Sequence, residues 1–238
     1  ATMLLADSPI NTARFDIVDS RYTLVAHVVQ GDLFSVSELE MLNGDNYFAY
    51  GVPGRWEIIA AKNCVLQGSG DYWISDFLRG QYGTEWASGL HKINDFLVLL
   101  DPDLLEFVSY PNSYIAQTHD YRGVNAGELI DSADDYPQTY YGTSLVPLSP
   151  VYLSGVRHRL TGDQVLSWLR RTRISGAWLD SVDVPISEDN ESYTIEIYSS
   201  NTYTTLKRTL TATTNSVTYT GAMQIADFGS IQNTVYAK

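Results

Sequence analysis

Leu78-Arg79-Gly80-Gln81-Tyr82-Gly83-Thr84-Glu85-Trp86-Ala87, followed by His91 and then by Phe96-Leu97-Val98-Leu99-Leu100-Asp101, is the stretch on which the fold turns. Glycine enters backbone regions closed to other residues. A Gly-x-x-Gly spacing after an apolar run therefore predicts a strand ending at Leu78, a tight turn, and a second apolar strand. The expectation is a corner between strands.

Outward from that corner the composition points the same way. Tyr, Trp, Phe, Val, Ile and Thr are abundant, and periodic apolar stretches rarely exceed eight residues, which favours strands over helices and predicts an all-β protein. With 238 residues the chain can bury a sizeable core in one large or two ordinary domains. The net charge of −13 is uneven: residues 1–150 carry 7 basic and 20 acidic side chains, and residues 151–238 carry 8 of each. Such acidity repels nucleic-acid phosphates and anionic lipid, so no nucleic-acid partner is expected. It suits a soluble, calcium-rich or extracellular setting, although most acidic surfaces serve only solubility. The longest apolar run, near Phe96 to Leu100, is too short to span a bilayer. The opening Ala-Thr-Met-Leu-Leu lacks the charged start of a signal peptide and reads as a chain begun partway through a larger protein. A single cysteine, Cys64, excludes an intrachain disulfide and reads as a buried, inert thiol.

Along the chain, Arg14–Val18 and Arg21–Val29 are strand candidates separated by Asp19-Ser20. Ser35 to Leu42 has helical character, with Ser35 or Ser37 as N-cap and a Glu following. Gly44-Asp45-Asn46 and Pro53-Gly54 then turn a meander of short antiparallel strands, which continues through Trp56–Ala60 and Cys64–Gln67. In Tyr72–Leu78 the inside–outside alternation is imperfect, which predicts partial cover on both faces, as in a barrel or a packed interface.

The order of features from Gly44 and Asn46, through Trp56-Glu57 in an apolar strand, to LRG-x-x-GT, His91 and the FLVLLD strand resembles the large tail-tip or baseplate-hub ("host specificity") proteins of long-tailed phages and gene transfer agents. The match covers about sixty consecutive residues. It implies the C-terminal part of such a protein, in a trimeric hub at the tail end of a virion, with other tail proteins as partners and a host surface glycan or protein as a further one.

Residues 109–150 are loop-rich and polar-aromatic and end in Leu145-Val146-Pro147-Leu148-Ser149-Pro150, whose prolines favour an extended connection. The expected domains are 1–148, β-rich and barrel-like, and 149–238, a fibronectin-type-III-like β-sandwich. In the second, Val156–Leu160 is one expected strand. Leu166 and Trp168 point to the core, Tyr193, Ile195 and Ile197 alternate with polar neighbours, and Leu206–Thr211 with Val217–Tyr219 reads as a hairpin. Trp168 to Arg173, Gly176-Ala177-Trp178, Val184-Pro185-Ile186 and Glu191-Ser192-Tyr193 again resemble the C-terminal module of the tail-tip family, with a final strand shortened near Thr234-Val235-Tyr236.

No catalytic residue, cofactor or metal site is expected. His27, His91, His119 and His158 are isolated from partners at ligand spacing, and His91 reads as a structural hydrogen-bonder. Neither a nucleophile elbow nor a phosphate loop is present. Asp101-Pro102-Asp103 opens like a calcium loop but lacks its glycine and its bidentate glutamate. Asp131, Asp134 and Asp135 beside Tyr136, Tyr140 and Tyr141 hold the ingredients of a glycosidase, yet clustered loop acids are usually solvated. The candidate partner surfaces are Tyr136, Tyr140 and Tyr141 in adaptable aromatic loops, and a basic set of Arg157, Arg159, Arg171 and Arg173, with Arg170 alongside, on neighbouring strands. Non-catalytic tail assembly and host attachment is the leading functional expectation. A secreted carbohydrate-binding module or glycosidase accessory domain is the alternative.

Overall fold

The computed structural model describes residues 2–68, 70–105, 108–174 and 183–238. It is all-β and divides into two compact units, Ala1–Val146 and Pro147–Lys238.

In the first unit, β1 (Met3–Ala6), β2 (Asp19–Gln30), β3 (Tyr47–Gly51), β4 (Glu57–Leu66), β5 (Asp71–Gln81) and β6 (Phe96–Leu99) close an antiparallel barrel in the order β1-β2-β5-β4-β3-β6. Closure removes the open edges that a meander would leave. The interior is filled by Leu4, Leu24, Phe48, Ile74, Phe77 and Leu97, among others. The expected strand at Arg14–Val18 is not formed. That segment bends, and β2 begins at Asp19, where the buried carboxylate accepts hydrogen bonds from the backbone N–H groups of Arg14 and Arg21. Between β2 and β3 lies α1 (Glu38–Leu42). Its N-cap Ser37 accepts from the Glu40 N–H while the Glu40 carboxylate accepts from Ser37 N–H, a complete capping box.

β5 explains the imperfect alternation. Tyr72 and Ile74 are buried, then Phe77 and Arg79, so the phase slips by one residue, and Asp76 between them has a φ of 59°. The strand also runs on past Leu78 to Gln81. Gly80 therefore kinks a strand, and the turn falls at Tyr82–Thr84 before a single 3-10 turn at Glu85–Ala87. Beyond β6 the chain forms a two-stranded hairpin of β7 (Thr118–Tyr121) and β8 (Tyr136–Thr139).

The second unit is a sandwich of two three-stranded sheets. One has the order β13-β10-β9, from β9 (Val151–Arg157), β10 (Gln164–Leu169) and β13 (Ser216–Tyr219). The other has the order β12-β11-β14, from β11 (Tyr193–Tyr198), β12 (Leu206–Ala212) and β14 (Tyr236–Ala237). Leu166, Trp168 and Tyr219 from the first sheet share one core with Ile195 and Ile197 from the second. Three expectations are corrected here. β9 ends at Arg157 and begins at Val151, because the turn Thr161-Gly162-Asp163 takes up the residues after it. Leu206–Ala212 and Ser216–Tyr219 do not pair: β12 pairs with β11 and β13 with β10, so the short connection crosses from one sheet to the other. An unexpected helix, α2 (Gly221–Phe228), follows β13, capped by the Thr220 hydroxyl and ended by Gly229 in the left-handed region. The buried Gln224 side chain donates to Gly162 O and Tyr219 O and so fixes α2 to the sandwich. The Gly176-Ala177-Trp178 segment lies outside the described residues. Among the described residues no helix is long and apolar enough to cross a membrane.

Candidate functional site

The corner stretch holds the most unusual chemistry of the first unit, a buried network of five charged or ionisable side chains. Glu57 at the start of β4 and Arg79 near the end of β5 are both buried and form a two-pronged pair, with Nε to Oε1 at 2.8 Å and Nη2 to Oε2 at 2.7 Å. The Gly80 N–H donates to Glu57 Oε1 at 2.8 Å, and His91 Nε2 lies 2.6 Å from Glu57 Oε2. An ionised carboxylate only accepts, so Nε2 carries the proton. The other ring nitrogen, Nδ1, lies 3.5 Å from Asp95 Oδ2 and makes no hydrogen bond. Asp95, also buried, takes both prongs of Arg55 and the Lys92 N–H.

Local backbone geometry puts these groups together. A register shift between β4 and β5 at Ile58–Ala60 matches the kink at Arg79-Gly80 and turns Arg79 toward Glu57. A Cβ on Gly80 would meet Glu85 Cγ at 2.6 Å and the Phe15 ring at 2.8 Å, and one on Gly83 would meet Thr143 O at 2.3 Å. The Thr84 hydroxyl accepts from Ile58 N–H and donates to Gln81 O, closing the turn. Asn11 clasps the His91 backbone at both its N–H and its C=O, and Arg79 reaches Ile10 O at 3.1 Å. The network thus joins four segments distant in sequence.

Burial works against the charge on Glu57, but the hydrogen bonds from His91 and Arg79 outweigh it and hold the carboxyl below its ordinary range. Burial likewise opposes the charge on Asp95, and the Arg55 hydrogen bond overcomes it. Tyr50, stacked on His91, is pushed up to about 12, mainly by burial. Every charged group of the corner is thereby occupied by another, an arrangement suited to fixing a backbone shape. A buried pair of this kind is strongly destabilised when one partner is lost.

The residues expected to form partner surfaces fall in separate places. Tyr140 joins a ring cluster with Tyr110, Tyr114 and His119, in which Tyr110 stacks on His119 at 5.1 Å and Tyr114 does so at 4.8 Å. Tyr136 and Tyr141 stay exposed. Arg122 bridges Asp131 and Asp135, so two of the three clustered acids have an ionic partner. The Arg157 guanidinium donates to Gln232 O, Arg171 donates to Ser149 O, Arg173 pairs with Glu188, and Arg170 pairs with Glu191. Arg159 is exposed beyond the end of β9. Asp101 Oδ1 accepts from Asp103 N–H in a local turn. Among the described residues no three His, Cys, Asp or Glu side chains come together in a group that could hold a metal ion.

Sequence reasoning placed His91 but missed Glu57, Arg79 and Asp95 as its companions. The available signal was a charged residue interrupting each of two apolar strands, Glu57 before Ile58-Ile59-Ala60-Ala61 and Arg79 after Phe77-Leu78. Among curated proteins none matches the chain. Residues 1–98, from β1 into β6 and including the whole of the corner, match the family described as Rcc01698-like, C-terminal.

Proposed function

We propose that the chain is the C-terminal part of a tail-tip or baseplate-hub protein of a phage, prophage or gene transfer agent, a non-catalytic component of tail assembly that also contributes to host attachment. Its partners in this reading are other tail proteins and further copies of itself, and its place is the virion tail tip. The observation that carries the reading is the coincidence of the matched span with the buried corner. The residues that bear the tail-tip resemblance, Glu57, Arg79, Gly80, Gly83 and His91, are spent on one another or on the turn, as expected of a part that works by holding a shape. The test is to tag the gene in its own genome and label purified particles. Label at the tail tip is the expected result, and particles free of the tag would overturn the reading.

The exposed Tyr136 and Tyr141 beside the ring cluster of Tyr140 favour one second reading, a carbohydrate-binding module. Binding on a glycan array that disappears in Tyr140→Ala and Tyr141→Ala would support it, and a blank array would remove it.

A further inference from the structure

On the wall of the barrel one row of apolar side chains crosses three strands. Val25 of β2, Trp73 of β5 and Val65 of β4 stand opposite one another in register. Their strand neighbours Leu24, Ile74 and Cys64 fill the interior, so alternation turns this row outward. Trp73 is 53% exposed and Val65 51%, with Val25 half-buried. The outer face of an antiparallel sheet is commonly polar, and the flanking rows obey that rule. Thr23, Ser75 and Asn63 form one, and the ion pair of His27 with Asp71 stands in the other. An apolar centre with a polar rim is the make-up of a protein interface, and an exposed tryptophan is its commonest anchor.

The connection between β2 and β3 extends the row. The Ser35 hydroxyl accepts from Cys64 N–H and donates to Cys64 O, which brings Phe34 alongside the same end of β4. Asn46 Nδ2 donates to Phe34 O at 2.7 Å, and Val36 N–H donates to Lys62 O. The backbone is thus clasped on both sides of a ring that is 75% exposed. A side chain displayed on a fixed backbone loses little freedom when it is covered.

Charge decides what covers it. Residues 32–45 carry Asp32, Glu38, Glu40 and Asp45 and no basic side chain. Lys62 beside them is paired with Glu38. Two copies of this face would set like charges against each other, and an anionic membrane would be repelled by the same acids. A sugar would place hydroxyl groups against Phe34 and Val65. We infer that Phe34, Val65 and Trp73 form a docking face for another protein, whose contact surface is apolar at its centre and carries lysine or arginine at its rim. The inference rests on the tail-assembly reading above and adds the surface and the chemistry of its partner.

The test uses the full protein in its own particles, with Phe34→p-benzoylphenylalanine or Trp73→p-benzoylphenylalanine introduced into the tagged gene. Both positions are exposed, and circular dichroism of each purified variant verifies its fold. Particles are irradiated and the adducts mapped by mass spectrometry. The expected result is that both sites join one other particle protein, within a stretch that is apolar and bears Lys or Arg. Phe34→Ser/Trp73→Ser and Asp32→Lys should each lower the copies per particle at least about tenfold. Particles that carry the chain and yield no adduct, or an adduct with a sugar, a lipid, an acidic stretch or a second copy of this chain, would overturn the docking face and leave the tail-tip reading standing. Undiminished incorporation of the serine variant would overturn it in the same way. Particles that lack the wild-type chain altogether would overturn both.

Discussion

Tyr50 and His91 lie face to face, their ring centroids 3.7 Å apart and their planes inclined by 13°. The tyrosine belongs to β3 and the histidine to the loop after the glycine turn, so the stack ties the loop to the barrel wall while the imidazole edge reaches Glu57. An arrangement in which each group is oriented by two others responds sharply to the loss of one.

Arg79→Met leaves Glu57 buried without its two-pronged partner and is expected to destabilise the first unit by about 3–5 kcal/mol. Glu57→Gln/Arg79→Met is expected to cost clearly less than the sum of the two single changes, because the second substitution removes the uncompensated charge that the first one left. Urea unfolding of the four proteins in a double-mutant cycle measures both.

Acid is expected to loosen the barrel in a defined window. The carboxyls of Glu57 and Asp95 titrate lower in the folded protein than their ordinary values, and Asp19 is held at about 2, chiefly by its hydrogen bond from the Arg21 side chain. A depressed folded value means that the stabilisation is fully present above the unfolded value, near 4, and is lost as pH falls through the folded one. The melting temperature should therefore be flat from pH 7 to about 5 and decline below about 4. Calorimetry of Glu57→Gln across the same range should show a shallower decline.

Gly83→Ala is expected to cost roughly 1–3 kcal/mol, since φ is +79° and the added carbon would meet Thr143 O at 2.3 Å. Backbone cannot swing aside as a side chain would. Hydrogen exchange should accelerate around Gly142–Val146 in this variant, whereas Gly54→Ala, with open space at its Cβ, should leave that segment unchanged.

Cys64 is buried, and burial pushes its thiol up to about 12. The thiolate is the reactive form, so iodoacetamide at pH 8 is expected to label the native protein far more slowly than the urea-unfolded one. Equal rates would mean that the barrel opens at Ser35, whose hydroxyl accepts from the Cys64 N–H.

Much of this architecture was legible in the residues because strands announce themselves through composition and period. The apolar phases of Leu166, Trp168, Ile195 and Ile197 did place the sandwich core. What period cannot encode is the partner of a strand, and for that reason β12 and β13 read as a hairpin while belonging to opposite sheets. The backbone irregularity at Asp76 was hidden for a related cause. A non-glycine residue with positive φ carries no mark in the sequence, and it surfaced only as broken alternation. Of the buried corner the glycines and His91 stood out, whereas Glu57 and Arg79 looked like ordinary surface charges because their burial depends on a register that only the folded sheet defines. The loop tyrosines and the arginines were visible as residue types. Their separation into a ring cluster, single exposed rings and locally bonded guanidinium groups was not.

The seam of the barrel is β1, which is bonded on one side to β2 and on the other to β6, so that Leu4 meets Leu97. During synthesis Met3–Ala6 leave the ribosome long before their second neighbour exists. At about 5–20 residues per second the wait for Phe96–Leu99 is on the order of 5 to 20 seconds. Until β6 is made, β1 and β3 each lack the neighbour that closes the sheet.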